Sequence, residues 1–96
     1  MADVKASVTV HLMVTGRVQG VGYRYAMAEQ AHQRELAGWV RNLVDGRVEA
    51  LLHGDEDVVR GLIHWMHKGP DMARVDDICI TPGTGTEVAP IPFEVR

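Results

Sequence analysis

The sequence predicts an α+β sandwich built on a split βαβ unit, with two helices on one face of an antiparallel or mixed sheet. Three observations carry that prediction. Apolar residues alternate at Val8, Val10, Leu12 and Val14, and again at Val48, Ala50 and Leu52, the period of strands with one buried face. Two other stretches, 23–35 and 56–68, repeat apolar residues at three- and four-residue spacing, the period of half-buried helices. The resulting order is βαββαβ plus a short terminal strand, which is the ferredoxin-like order. Right-handed crossovers then put both helices on the same side of the sheet.

Each element has its own marks. Residues 8–14 form the first strand. Tyr23, Met27, Ala28 and Ala31 share a helical face, with Glu29, Gln30, Gln33 and Arg34 largely off it, so the first helix is set at about 23–35. Leu36 to Leu43 and Arg47 to His53 read as the second and third strands. Asp45-Gly46 between them predicts a hairpin with a type I′ turn, which needs positive φ. The second helix has Asp55 as N-cap and Glu56 and Asp57 at the positive end of its dipole. Val59, Leu62, Ile63 and Met66 form its apolar stripe, His67 and Lys68 its last turn, and Gly69-Pro70 its stop. Val75 to Ile80 reads as a fourth strand with an irregularity at Asp76-Asp77. Residues 81–86 are loop, and Phe93 to Val95 is a short edge strand behind Pro90 and Pro92. Trp39, Trp65 and Cys79 read as packing residues.

Ninety-six residues make one domain over 1–96, with 1–7 expected to be a flexible N-terminal extension. A chain of this size buries roughly 60–70% of its unfolded surface and folds without a staple. Ten Lys and Arg against thirteen Asp and Glu give a net charge of −3, without the basic surplus of a nucleic-acid binder. The third strand also lacks the aromatics of an RNA-binding sheet. No apolar run approaches the ~20 residues of a membrane helix, and the N-terminus does not read as a signal peptide. One cysteine forms no internal disulfide, which fits a reducing compartment. The expectation is a cytoplasmic monomer that handles a small molecule, with no nucleic acid and no membrane as partner.

The chemistry is concentrated in Gly16-Arg17-Val18-Gln19-Gly20-Val21-Gly22-Tyr23-Arg24, which joins the first strand to the first helix. A glycine-spaced loop running into a helix N-terminus points main-chain N–H groups at an anion. Arg24 adds a forked, permanent positive charge. A cation at a helix N-terminus is otherwise disfavoured, by up to ~1 kcal/mol, and a bound anion reverses that sign. On the residues alone, the loop suggests phosphate.

These residues resemble the acylphosphatase family, whose first motif is Gly-x-Val-Gln-Gly-Val-x-aromatic-Arg. Its second motif matches Gly38-Trp39-Val40-Arg41-Asn42, then Gly46-Arg47-Val48 and Gly54. Gly69-Pro70 and Phe93-Glu94-Val95-Arg96 match later landmarks, so the resemblance spans nearly the whole domain. It implies hydrolysis of a carboxyl–phosphate anhydride to a carboxylate and inorganic phosphate, with no metal and no organic cofactor. It assigns phosphate binding to Arg24, the holding of the attacking water to Asn42, and a main-chain cradle to residues 16–23. Position 43, often Thr in some branches, is Leu43, so a hydroxyl there is missing.

The residues themselves fit that chemistry. Phosphoryl transfer needs charge stabilisation and an in-line nucleophile, which loop amides, Arg24 and a neutral Asn42 can supply. No general acid or base accompanies them. An acyl phosphate needs none, because its leaving carboxylate has a conjugate acid of pKa roughly 4. Bland readings stand beside the sharp ones. Asn42 alone reads better as a polar strand end before a turn, and only the matched motif gives it a role. Gln19 reads as loop structure ahead of ligand contact, and Arg17 equally as a solvated charge or an attractor of substrate. Arg41 and Arg47 read as surface charges. The five histidines, including His64 and His67 three apart on a helix, lack the matched third ligand of a metal site. A non-catalytic anion-binding module of the same fold is the alternative to an enzyme.

Overall fold

Strand β1 (Ser7–Arg17) pairs antiparallel on both sides, and the rest of the fold is arranged about it. After it come α1 (Tyr23–Gln33), β2 (Ala37–Asn42), β3 (Val48–Asp55), α2 (Glu56–Lys68), β4 (Arg74–Pro82) and β5 (Glu94–Val95). The computed structural model describes residues 6–96. The sheet order is β4-β1-β3-β2-β5, with β5 parallel to β2 and the other neighbours antiparallel. This is the ferredoxin-like arrangement, with one added edge strand.

Alternation decides what each strand buries. Leu12 and Val14 of β1, Val48, Ala50 and Leu52 of β3, and Val40 of β2 share a core with Met27, Ala28 and Ala31 of α1 and Val59, Leu62 and Met66 of α2. Each fully buried large side chain there contributes roughly 1.5–3 kcal/mol. The alternate residues carry polar contacts on the opposite face. His11 Nε2 lies 2.6 Å and Arg41 Nε 2.5 Å from the two oxygens of Glu49. Burial alone would raise the Glu49 carboxyl, but those two hydrogen bonds hold it below its ordinary range. Trp39 lies within 5.3 Å of the Arg41 guanidinium and 5.2 Å of that of Arg96, so it packs among cations and not in the core.

Several boundaries differ from the sequence expectation. β1 runs on to Arg17, because Gly16 and Arg17 pair with Val75 and Arg74 beyond a bulge. The register jumps from Thr15–Asp77 to Gly16–Val75, which leaves Asp76 as the extra residue, at the irregularity expected there. A Cβ at Gly16 would collide with the Arg74 carbonyl, so only glycine allows that approach. The extension expected over 1–7 is already ordered at Ser7, which pairs with Asp55, while residues 1–5 lie outside the described residues. α1 ends at Gln33 and not 35, and the chain reverses through Glu35 at φ 53°.

The β2–β3 turn is not type I′. Gly46 has φ 97°, but Asp45 is not among the positive-φ residues. Leu43 N–H donates to the Arg47 carbonyl at 2.8 Å and Gly46 N–H to the Leu43 carbonyl at 3.2 Å, giving a three-residue loop. The Asp45 carboxylate accepts from Arg47 N–H at 3.0 Å, a local bond that favours this longer turn. Cys79 is exposed, not packed. It sits on an edge strand opposite Met13, on the face away from the helices.

α2 begins as its sequence requires. The Asp55 carboxylate accepts from the N–H groups of Asp57 at 2.9 Å and Val58 at 3.4 Å. At the other end, Gly69 N–H donates to the Trp65 carbonyl at 2.8 Å. Among the described residues, no helix is long and apolar enough to cross a membrane. Asp55→Ala is expected to lower the unfolding free energy by about 1 kcal/mol in urea titration with an unchanged slope. A midpoint indistinguishable from wild type would show that the cap contributes nothing.

Candidate active site

The two helices start differently. α2 is closed by the Asp55 carboxylate, with Glu56 and Asp57 in its first turn. α1 starts at Gly22, which is left-handed at φ 76° and ψ 17°, with no side-chain cap and no acidic residue in the first turn. The first N–H groups of a helix have no partner within it. At α1 they are left open, and Arg24 stands among them where the dipole disfavours a cation. Open amides and a guanidinium at one helix end form a set of donors for an anion.

The loop before α1 is built to hold that end in place. Val18 is buried in the core, and Val21 packs against it. Gln19 Nε2 donates to the main-chain oxygens of Leu43 at 2.7 Å and Arg47 at 3.0 Å, which ties the loop to the β2–β3 hairpin. Gly20, at φ 74°, and Gly22 make the turns that a residue with a Cβ rarely adopts. The Tyr23 side chain is buried, and its hydroxyl donates to the Met66 carbonyl at 2.8 Å. Burial pushes the phenol well above its ordinary pKa. Its ring lies 6.1 Å from that of Trp65, so the side chain joins the helices and leaves the main chain as its donor toward the loop.

Arg24 is half-buried. Its Nη1 donates to the main-chain oxygen of Arg96 at 2.9 Å, and its guanidinium carbon lies 5.6 Å from the centre of the Tyr25 ring. Asn42 ends β2 opposite Val48 and is exposed. Its amide has no hydrogen-bond partner among the described residues.

A cavity of about 220 Å³ brings these groups together, lined by Val18, Gln19, Gly20, Gly22, Tyr23, Arg24, Tyr25 and Asn42. Gly16, Arg17 and Val21 are not among its lining residues. Gly16 serves the β1–β4 approach, and Arg17 is exposed at the end of β1 opposite Arg74. Tyr25 is the lining residue that sequence reasoning missed. Its signal was an aromatic directly after Arg24 and off the apolar stripe of Tyr23, Met27 and Ala31.

Among the described residues, no carboxylate or imidazole side chain lines the cavity. His11, His32, His53 and His67 are engaged separately, with Glu49, the Phe93 carbonyl, Thr9 and the Ile63 carbonyl. Two larger hollows are walled mainly by apolar side chains. One, about 310 Å³, has Val8, Val10, Val59 and Ile63, and the other, about 240 Å³, has Leu36, Ile91 and Phe93. Size would choose either, but the convergent polar donors are at the smallest of the three.

Residues 10–89 match the family model described as Acylphosphatase. Curated relatives include Acylphosphatase 2 of Ralstonia nicotianae (strain ATCC BAA-1114 / GMI1000), 50% identical over 94% of this chain and 96% of the relative. The Acylphosphatase of Trichormus variabilis (strain ATCC 29413 / PCC 7937) is 52% identical over 76% of this chain and 72% of the relative. Among solved structures, the acylphosphatase from Bacillus subtilis superposes with a TM-score of 0.86 at 37% identity, over 93% of this chain and 98% of that one. With the fold, the family model and the relatives in agreement, the chain belongs to the acylphosphatase family.

Proposed function

We propose that the chain hydrolyses the carboxyl–phosphate bond of small acyl phosphates at the cavity below the α1 N-terminus. The observation that carries this reading is the convergence of open helix amides, Arg24 and Asn42 on one cavity that no carboxylate side chain lines among the described residues. Family membership supports the same activity, since the relatives bear its name.

The phosphoryl group sits against the amides of the 18–24 stretch, with the Arg24 guanidinium on its oxygens. The hydrogen bond to the Arg96 main chain fixes one nitrogen of that guanidinium and leaves others to reach the phosphate. Charge that builds on the equatorial oxygens meets donors already in place, so little reorganisation is needed. Asn42 holds a water in line with the bridging oxygen. The water oxygen attacks phosphorus, and the bond between phosphorus and the bridging oxygen breaks. The carboxylate departs unprotonated, and a proton of the water passes to a phosphate oxygen. Products are a carboxylate and inorganic phosphate. A leaving group with a high pKa would need an acid that the cavity lacks, so alkyl phosphomonoesters are poor substrates.

Arg24→Gln is expected to abolish benzoyl phosphate hydrolysis and inorganic phosphate binding together, as followed by absorbance and by calorimetry. Asn42→Ala is expected to lower kcat about 10²–10³-fold while phosphate affinity stays within about twofold. Equal loss of affinity and turnover would assign Asn42 to binding and sink the water-holding role. Wild-type activity is expected to persist in excess EDTA. Its disappearance would require a metal and overturn the mechanism.

A further inference from the structure

Of the residues lining the cavity, Tyr25 alone offers an exposed apolar side chain: its exposure is 68%, against 1% for Val18 and Tyr23. Solvating an aromatic ring forgoes the gain of burying it, and nothing in the core explains this one. Its hydroxyl has no hydrogen-bond partner among the described residues, so the phenol oxygen does not account for the placement either. Among the described residues, the ring's one specific neighbour is the Arg24 guanidinium, 5.6 Å from its centre. That contact sets the ring beside the cation and leaves the rest of it open. The loop side of the cavity is open as well, since among the described residues a Cβ at Gly20 or Gly22 would meet no atom within 4 Å beyond its own chain neighbours.

We infer that the Tyr25 ring is the platform for the acyl group, and that it favours flat, apolar acyl groups over small ones. This rests on the reading of the Arg24 cavity as the phosphate site. The acyl carbon is one bridging oxygen from phosphorus. A phosphate on the Arg24 guanidinium therefore starts its acyl group within reach of the ring that Arg24 touches. Among the other lining residues, Val18 and Tyr23 are buried and Gln19, Arg24 and Asn42 end in polar groups, so Tyr25 presents the one large exposed apolar face among the described residues of the cavity. An acetyl group is too small to cover the Tyr25 face, whereas a benzoyl ring can stack on it with an offset.

The test compares kcat/KM for benzoyl phosphate and acetyl phosphate in wild type, Tyr25→Ala and Tyr25→Phe. Tyr25→Ala is expected to lower the benzoyl-to-acetyl ratio about three- to tenfold, the range of one aromatic stack. Tyr25→Phe is expected to keep the ratio within about twofold of wild type, since the face and not the hydroxyl is used. An unchanged ratio in Tyr25→Ala overturns the proposal. So does an equal loss on both substrates, which would make the ring a prop for Arg24, or a drop in Tyr25→Phe as large as in Tyr25→Ala. Arg24→Gln, assayed alongside, is expected to lose both substrates. Retained activity there would overturn the phosphate site itself, a failure separate from that of the acyl platform.

Discussion

The Gln19 amide is the fastening on which the geometry of the cavity depends. It donates to the Leu43 and Arg47 carbonyls, and that Arg47 oxygen also accepts from Leu43 N–H. The loop before α1 is thus docked on the closing bond of the β2–β3 hairpin, one residue from Asn42. Each of these bonds contributes only about 1 kcal/mol to stability. Their larger effect is positional. The loop inherits its location from the sheet register, in which Asn42 faces Val48, so donors from residues distant in sequence meet at one place. Rigid supporting contacts of this kind keep a site within the narrow geometric tolerance that catalysis needs.

The two helix starts divide the work of the fold. α2 is locally consistent: cap, acidic first turn, apolar stripe and glycine stop all agree, and it can serve as scaffold. α1 has glycine at its cap and carries a cation where the dipole opposes one, which together cost on the order of 1 kcal/mol. It holds its place through tertiary packing. Tyr23, Met27, Ala28 and Ala31 are all buried, and the Tyr23 hydroxyl reaches Met66 of α2. Local frustration at α1 is therefore compensated by the core, and it leaves a set of unsatisfied donors facing solvent.

Much of the fold was legible because strong periodicities and caps agreed. β1 and β3 alternate, and α2 carries every terminal mark. The misses have physical causes. β1 extends through Gly16 and Arg17 because a bulge in β4 re-establishes pairing, a long-range event that the first strand's own residues do not encode. Asp45-Gly46 suggested a two-residue turn, but the Asp45 carboxylate bonds to Arg47 and selects a longer loop. Cys79 looked like core because it lies mid-strand between two isoleucines, while its exposure follows from its place on an edge strand and on the face away from the helices. At the cavity, Gln19, Gly20, Gly22, Arg24 and Asn42 come together, whereas Gly16, Arg17 and Val21 lie in the supporting structure. Tyr25 was missed because a helix pattern marks what faces inward and says little about what an outward ring is for.

The glycines of the loop divide into two kinds, with different room for evolutionary drift. Gly16 stands against the Arg74 carbonyl, and any side chain there would push two strands apart. Gly20 and Gly22 have open space around them, and only their left-handed backbone angles, 74° and 76°, resist substitution. Asn and Asp tolerate those angles far better than other residues with a side chain. A lineage could therefore exchange Gly20 or Gly22 for Asn at the cost of modest strain, while Gly16 has no such neighbour in sequence space. Of the three, the glycine farthest from the cavity is the one fixed most absolutely.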